Sequence, residues 1–358
     1  MNNIGNRINK LRDLMKTQNL QSVLVVKPEN RYYMSGFTGS NGFLVITQKS
    51  AKLITDFRYT EQATAQCPNY EVVLYKRTDL HEIINQALAD ESLTQLGFDK
   101  TFTTYASYLA YKEKIEAEIV PYEKIIENIR LIKDETEIRN MQQAQTIAED
   151  AFSKVLKMIK SGITELDVAV ELEYNMKKLG AEKISFATIA ASGKRSSLPH
   201  GRASQKVIEH GDFITFDFGA YYNGYCSDMT RTIVVGEASD KQREIYGIVL
   251  KAQLAALKMC KPGVNGKDVD KVARDIITQA GYGENFGHGL GHGVGKMVHE
   301  GPSLSPLSQD ILQPGHVVTV EPGIYIPGWG GVRIEDMVII TEDGHFNFNK
   351  LSKELIII

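Results

Sequence analysis

Apolar residues along the chain recur at two different spacings, and the switches between them outline the fold. Ile4, Ile8, Leu11 and Met15 form a stripe at helical spacing over 4–18, and a second helical stretch covers 80–89. Short runs rich in aliphatic and β-branched residues fall at 22–27, 42–47, 52–55, 71–75 and 95–99. Strand runs alternating with helical ones predict a compact α/β domain with a largely covered sheet. The pattern changes near residues 125–133. Asp134 followed by Glu137 is a capping-box signature and predicts the start of a long helix. Helical patterns return at 165–178, 240–259 and 267–280, with strand patterns between and after them. Tyr and Phe stripes on these helices read as core rather than as cofactor contacts. The chain thus divides into an N-terminal domain over 1–127 and a C-terminal domain over 128–358.

The strand patterns of the second domain carry charge where charge is costly. In FITFDFGAYYNGYCSDMTRTIVV, Asn223-Gly224 between two β-patterned runs is a strong hairpin signal. With those residues as the turn, Tyr222 faces Tyr225, Gly219 faces Asp228 and Asp217 faces Thr230. Asp217 and Asp228 then become diagonal neighbours on one face. Carboxylates that close repel unless a proton or cation lies between them, and Gly219 would leave room for a cation. A pair of solvated carboxylates on an exposed face is the other reading of this segment alone.

Other residues of the same half add to the case. FGHGLGHGVG sets His288 and His292 among glycines, with His299 following in HEGP. Glycine lets backbone approach a ligand closely, at an entropic cost; a plain flexible loop would look similar. Glu321 ends VVTVEPG and Glu335 sits inside GVRIEDMVII, on apolar strands where an ionised group needs a partner. Arg333, two residues before Glu335 on the same face, could supply a purely structural ion pair. That pair leaves the other carboxylates and the imidazole unexplained. Four carboxylates and one imidazole balance two divalent cations in formal charge, and an oxygen-rich set suits Mn²⁺, Co²⁺, Fe²⁺ or Zn²⁺.

Composition narrows the picture. At 358 residues the chain can build two domains with substantial cores, and a net charge of −3 with well-mixed signs offers no basic surface for nucleic acid. Cys67, Cys226 and Cys260 are few and scattered, which predicts no disulfide framework and fits a reducing cytoplasm. The first residues lack the apolar core of a signal peptide, and no run approaches the length of a membrane helix.

The ordered set DFG, SDMTRT, GHGLGHGVG, HEGP, VEPG and GVRIED closely resembles the pita-bread metallopeptidases, which include methionine aminopeptidase, aminopeptidase P and prolidase. The resemblance is strong over 130–358 and weaker before it, through RYYMSGFTGSNG and TDFRY. It implies an α+β chain, in which a smaller α/β creatinase-type domain precedes a C-terminal pita-bread catalytic domain. It implies metal ligation by Asp217, Asp228, His292, Glu321 and Glu335. His292 takes the ligand position rather than His288 because it stands seven residues before His299-Glu300, as the ligand histidine of the family does. The implied cofactor is two divalent metal ions, Mn²⁺ favoured. His200 in LPHGRAS and His299 match histidines that assist catalysis, Glu321 matches the proton carrier, and His288 and Arg333 match positions near the substrate in the proline-specific branch.

The resemblance therefore implies a homodimer that cleaves between an N-terminal residue and a following proline, in the cytoplasm that the cysteines suggest; the short N-terminal domain, which offers little chain for an extended cleft, slightly favours dipeptides over longer peptides. A proline nitrogen carries no N–H, so a dedicated pocket for such peptides is sensible chemistry. Methionine aminopeptidase is the alternative enzyme, disfavoured by the extra N-terminal domain and by His288 and Arg333. A catalytically silent pita-bread binding protein is the alternative outside enzymes, disfavoured because every ligand position is filled.

Overall fold

A computed structural model describes residues 3–76 and 78–358. The chain forms two compact units, Met1–Arg130 and Leu131–Ile358. The first is built on a six-stranded mixed sheet in the order Glu71–Leu74, Ala51–Thr55, Phe43–Thr47, Ser22–Val25, Gln95–Asp99, Glu118–Tyr122. Successive strand residues point to opposite faces. Val23 and Val25 accordingly join Ile4, Ile8, Leu11 and Met15 in one core, while Leu24 joins Ile84 and Leu88 in another. Helices Ile4–Thr17 and Leu80–Ala89 therefore cover the two faces, as the alternating pattern predicts. The last strand escapes the pattern because Pro121 interrupts it; it lies at the sheet edge, where a missing N–H does least harm.

In the second unit, helix Glu135–Val155 starts where the capping box predicts. Asp134 accepts from the backbone N–H groups of Thr136 and Glu137, and the Glu137 carboxylate accepts from the Asp134 N–H at 3.0 Å. Phe152 of this helix packs against Phe216 and Phe218, ring centroids 5.2 and 5.0 Å away, and so braces the strand that carries Asp217. The aromatic stripes are not uniformly core, since Tyr174 on helix Glu165–Lys178 is 55% exposed.

Asn223 and Gly224 both adopt positive φ, 46° and 81°, as the hairpin requires. The register follows: Tyr222 pairs with Tyr225, and Asp217 with Thr230. Gly219 has a different reason from the one the sequence suggests. A Cβ there would lie 1.9 Å from the Ser227 carbonyl oxygen, so close backbone approach, not cation space, excludes a side chain. Strand Phe213–Phe218 lies between Ile189–Ser192 and Met229–Val234. A second sheet contains Gly291–Gly293, Val317–Val320 and Asp336–Ile340, and a separate hairpin joins Gly323–Ile326 to Gly330–Arg333. No helix among the described residues is long and apolar enough to cross a membrane.

Candidate metal centre

These strands bring the separated acids and histidines of the second unit to one cavity of about 1060 Å³. Asp217, Asp228, His292, Glu321 and Glu335 all line it, as do His200, His288, His299 and Arg333. Asp228, His292 and Glu335 each offer a ligand atom within 4.8 Å of the others. His292 Nε2 lies 3.3 Å from Glu321 Oε1 and 3.6 Å from Asp228 Oδ2. The other nitrogen, Nδ1, is 3.1 Å from the Gly293 carbonyl. A ring that donates from Nδ1 to backbone presents Nε2 to a metal, the usual way a ligand imidazole is oriented.

His288 is engaged differently. Arg333 Nη1 donates to the Tyr325 hydroxyl at 2.9 Å, and that hydroxyl is 2.9 Å from His288 Nε2. With one proton to give, Tyr325 donates it to His288, whose Nδ1 donates in turn to the Gly289 carbonyl at 2.7 Å. This chain of bonds occupies the lone pair that His288 would need as a ligand, and burial holds its pKa below the usual histidine value. Tyr325 is the residue that sequence reasoning misses. Its signal lay in the hairpin register, in which Gly323 pairs with Arg333 and puts Tyr325 diagonally beside that arginine.

The sequence also suggests Arg333 at the pocket rim, holding substrate or paired with Glu335. Arg333 does line the cavity, but its ion pair is not with Glu335. Arg333 is 3% exposed, and its ion-pair partner is Asp217, with Nη2 to Oδ2 at 2.7 Å. Its Nε donates to Thr230 Oγ1 at 3.0 Å, and Nη1 also donates to the Pro199 carbonyl at 3.1 Å. Thr230 donates to Glu335 Oε2 at 2.8 Å, so Arg333 reaches Glu335 only through that hydroxyl. The guanidinium thus holds Asp217 directly and Glu335 through Thr230 while lining the cavity.

The protein alone does not neutralise this cluster. Burial, reinforced by Glu335, Asp217 and Glu321, pushes Asp228 well above the usual carboxylate range. Glu335 is raised by burial and by Glu321 and Asp217. Burial would raise Glu321 too, but the His292 hydrogen bond and charge bring it down to about 2. Asp217 is raised by burial against the opposing pull of Arg333, and its Oδ1 is buried without a hydrogen-bond partner. An unsatisfied buried acceptor costs about 1–3 kcal/mol, and more when ionised. A divalent cation relieves both the orphaned oxygen and the repulsion, and the oxygen-rich donors with one imidazole suit it. The residues fit a metal.

A stability test follows with a defined sign. A carboxyl whose pKa is raised by folding contributes stability below its unfolded pKa and loses it as pH rises through the folded value. Asp228 and Glu335 are of this kind. In chelated protein, Asp228→Asn should therefore raise Tm by about 2–4 °C near neutral pH. The gain should shrink as pH falls toward 4. Scanning calorimetry of both proteins across that range checks it; a lower Tm for the variant throughout would contradict the repulsion.

Comparison with known proteins agrees with this arrangement. Residues 139–342 match the model of metallopeptidase family M24, and residues 7–132 match the creatinase/prolidase N-terminal domain. The chain is 42% identical to a Pyrococcus furiosus protein named Xaa-Pro dipeptidase, over 98% of this chain and 99% of that one. A solved structure described as Xaa-Pro dipeptidase from Bacillus anthracis superposes with a TM-score of 0.97 at 48% identity, covering 99% of this chain and all of that one (100%). A structure described as X-Pro aminopeptidase from Thermotoga maritima superposes with a TM-score of 0.91 at 40% identity, covering 95% and 98%. With the two domain models together spanning nearly the whole chain and acids and histidines gathered in one cavity, this protein belongs to metallopeptidase family M24 and is a peptidase of the kind that works with divalent metal.

Proposed function

We propose that this chain is an exopeptidase that hydrolyses the bond between an N-terminal residue and a following proline, using two divalent metal ions. The observation that carries the reading is the convergence of four carboxylates and His292 in a single cavity, with one carboxylate oxygen left without a protein partner. The names of relatives matched over nearly their full length suggest the substrate class. Asp217, Asp228, His292, Glu321 and Glu335 would hold the ions, Mn²⁺ foremost. Bound there, divalent metal supplies Lewis acidity to a scissile carbonyl and lowers the pKa of a water toward neutrality.

The chain's own groups supply the rest. Glu321 carries a proton from the attacking water to the departing proline nitrogen, which has no N–H of its own and must be protonated as the bond breaks. His299, whose ring centroid is 4.4 Å from that of His292, and His200 donate hydrogen bonds to the developing oxyanion and to the substrate. Arg333 fixes Asp217 and Thr230 fixes Glu335, so neither acid has to reorganise during the reaction. The Tyr325–His288 pair extends the same bracing toward the substrate side. Negative potential left by the acids suits the free ammonium of the substrate, and the apolar residues among the cavity lining, Phe186, Leu198, Val298 and Pro327, suit a proline ring.

Dipeptides are the favoured substrates. Measured kcat/KM on one Mn²⁺-loaded preparation tests this. Ala-Pro should be cleaved readily, Ala-Ala-Ala poorly, and any peptide with an acetylated amino terminus not at all. A tenfold preference for Ala-Pro-Ala-Ala would make the enzyme an Xaa-Pro aminopeptidase, and efficient cleavage of Met-Ala-Ser with inert Ala-Pro would overturn proline specificity altogether.

A further inference from the structure

Glu165 is one of the buried acids of this unit that do not line the cavity. Glu165 is 0% exposed, in the first turn of helix Glu165–Lys178. Its Oε1 accepts from the Ser192 N–H at 2.7 Å and the Ser192 hydroxyl at 2.9 Å. Its Oε2 accepts from the Ser204 N–H at 3.0 Å, the Ser204 hydroxyl at 2.7 Å and Arg195 Nη1. Arg195 Nη2 donates onward to the Arg202 carbonyl at 2.9 Å. The free amides at the helix start join in, Glu165 N–H to the Lys206 carbonyl and Leu166 N–H to the Ser204 carbonyl, each 3.0 Å.

Ser192 and Ser204 close the two ends of the segment 193–203, and His200 lies inside it, lining the cavity. One carboxylate thus ties both ends of the segment, while within it Arg333 holds the carbonyl of Pro199, the residue before His200. Anchoring the helix does not call for so many bonds, because Val168, Ala169, Leu172 and Met176 already bury it in a core. A buried carboxylate is costly unless fully bonded, and here every bond goes to the His200 segment or the residues that close it. We propose that Glu165 is a positioning residue that sets the His200 segment against the cavity and so controls the reaction without touching substrate. The inference rests on the role given to His200 above.

The test is a double-mutant cycle read in kinetics. Glu165→Gln keeps the shape of the side chain but turns a donor toward groups that also donate. It should lower kcat by about 10- to 100-fold, the scale of a misplacement near 1 Å, with KM little changed. In a His200→Ala background the same substitution should leave kcat unaltered, since the group being positioned is gone. Should Glu165→Gln not fold, Arg195→Gln removes one arm of the latch at a side chain 30% exposed and should give the same coupling with a smaller fall. An equal fall in both backgrounds, or wild-type kcat in both latch variants, overturns the proposal while leaving the role of His200 intact. Wild-type kinetics in His200→Ala alone overturns that role, and the latch with it.

Discussion

Asp228→Ala and Glu335→Ala should each abolish most of the hydrolysis of Ala-Pro and release metal with it. The two residues are 3% and 1% exposed, and with His292 both belong to the group whose ligand atoms lie within 4.8 Å of one another. Losing a group that merely supports a ligand costs about 10–100-fold, and losing the ligand itself should cost more, on the order of a thousandfold. Removing either acid leaves the remaining ones with less charge to bind a divalent ion, so metal content falls together with activity. Kinetics and elemental analysis on the same samples check this. Two ions retained with near-normal turnover in both variants would remove the binuclear assignment.

The second large effect separates two histidines of one glycine-rich run. His292→Ala should lose metal and activity together, because Nε2 of His292 faces Asp228 and Glu321. His288→Ala should keep its metal and show changes of about 10–100-fold in kcat or KM, because Nε2 of His288 is taken by Tyr325. A general folding defect of the run would affect both alike. Metal lost from the His288 variant and kept by the other would mean that the ligand assignment is out of register.

The local parts of this site were legible in the chain. Asn223-Gly224 specifies its own turn, and a two-residue turn fixes every pair outward from it, so the pairing of Asp217 with Thr230 could be counted from sequence. The capping box at Asp134 is local too, since all its bonds fall within a few residues. What could not be read were choices among distant partners. Arg333 stands two residues from Glu335, yet pairs with Asp217, 116 positions away, because strands brought together by the fold decide which acid its fork meets. Gly219 looked like cation space because sequence shows an absent side chain and not the Ser227 carbonyl that excludes one. Glu165 reads from sequence as an ordinary acid at a helix start, favourable there by the dipole alone; its bonds to Ser192 and Ser204 exist only in three dimensions. Strand Glu118–Tyr122 was missed for a different reason, since Pro121 argues against a strand unless it is known to lie at an edge.

The most direct test is a metal titration. Protein stripped with a chelator is returned to Mn²⁺ in measured equivalents while Ala-Pro hydrolysis is followed, with free metal buffered throughout. The stripped protein should show negligible turnover, and activity should saturate at two equivalents per chain. Full turnover without metal, or saturation of Mn²⁺ binding with no hydrolysis of any Xaa-Pro peptide, would contradict the proposed function.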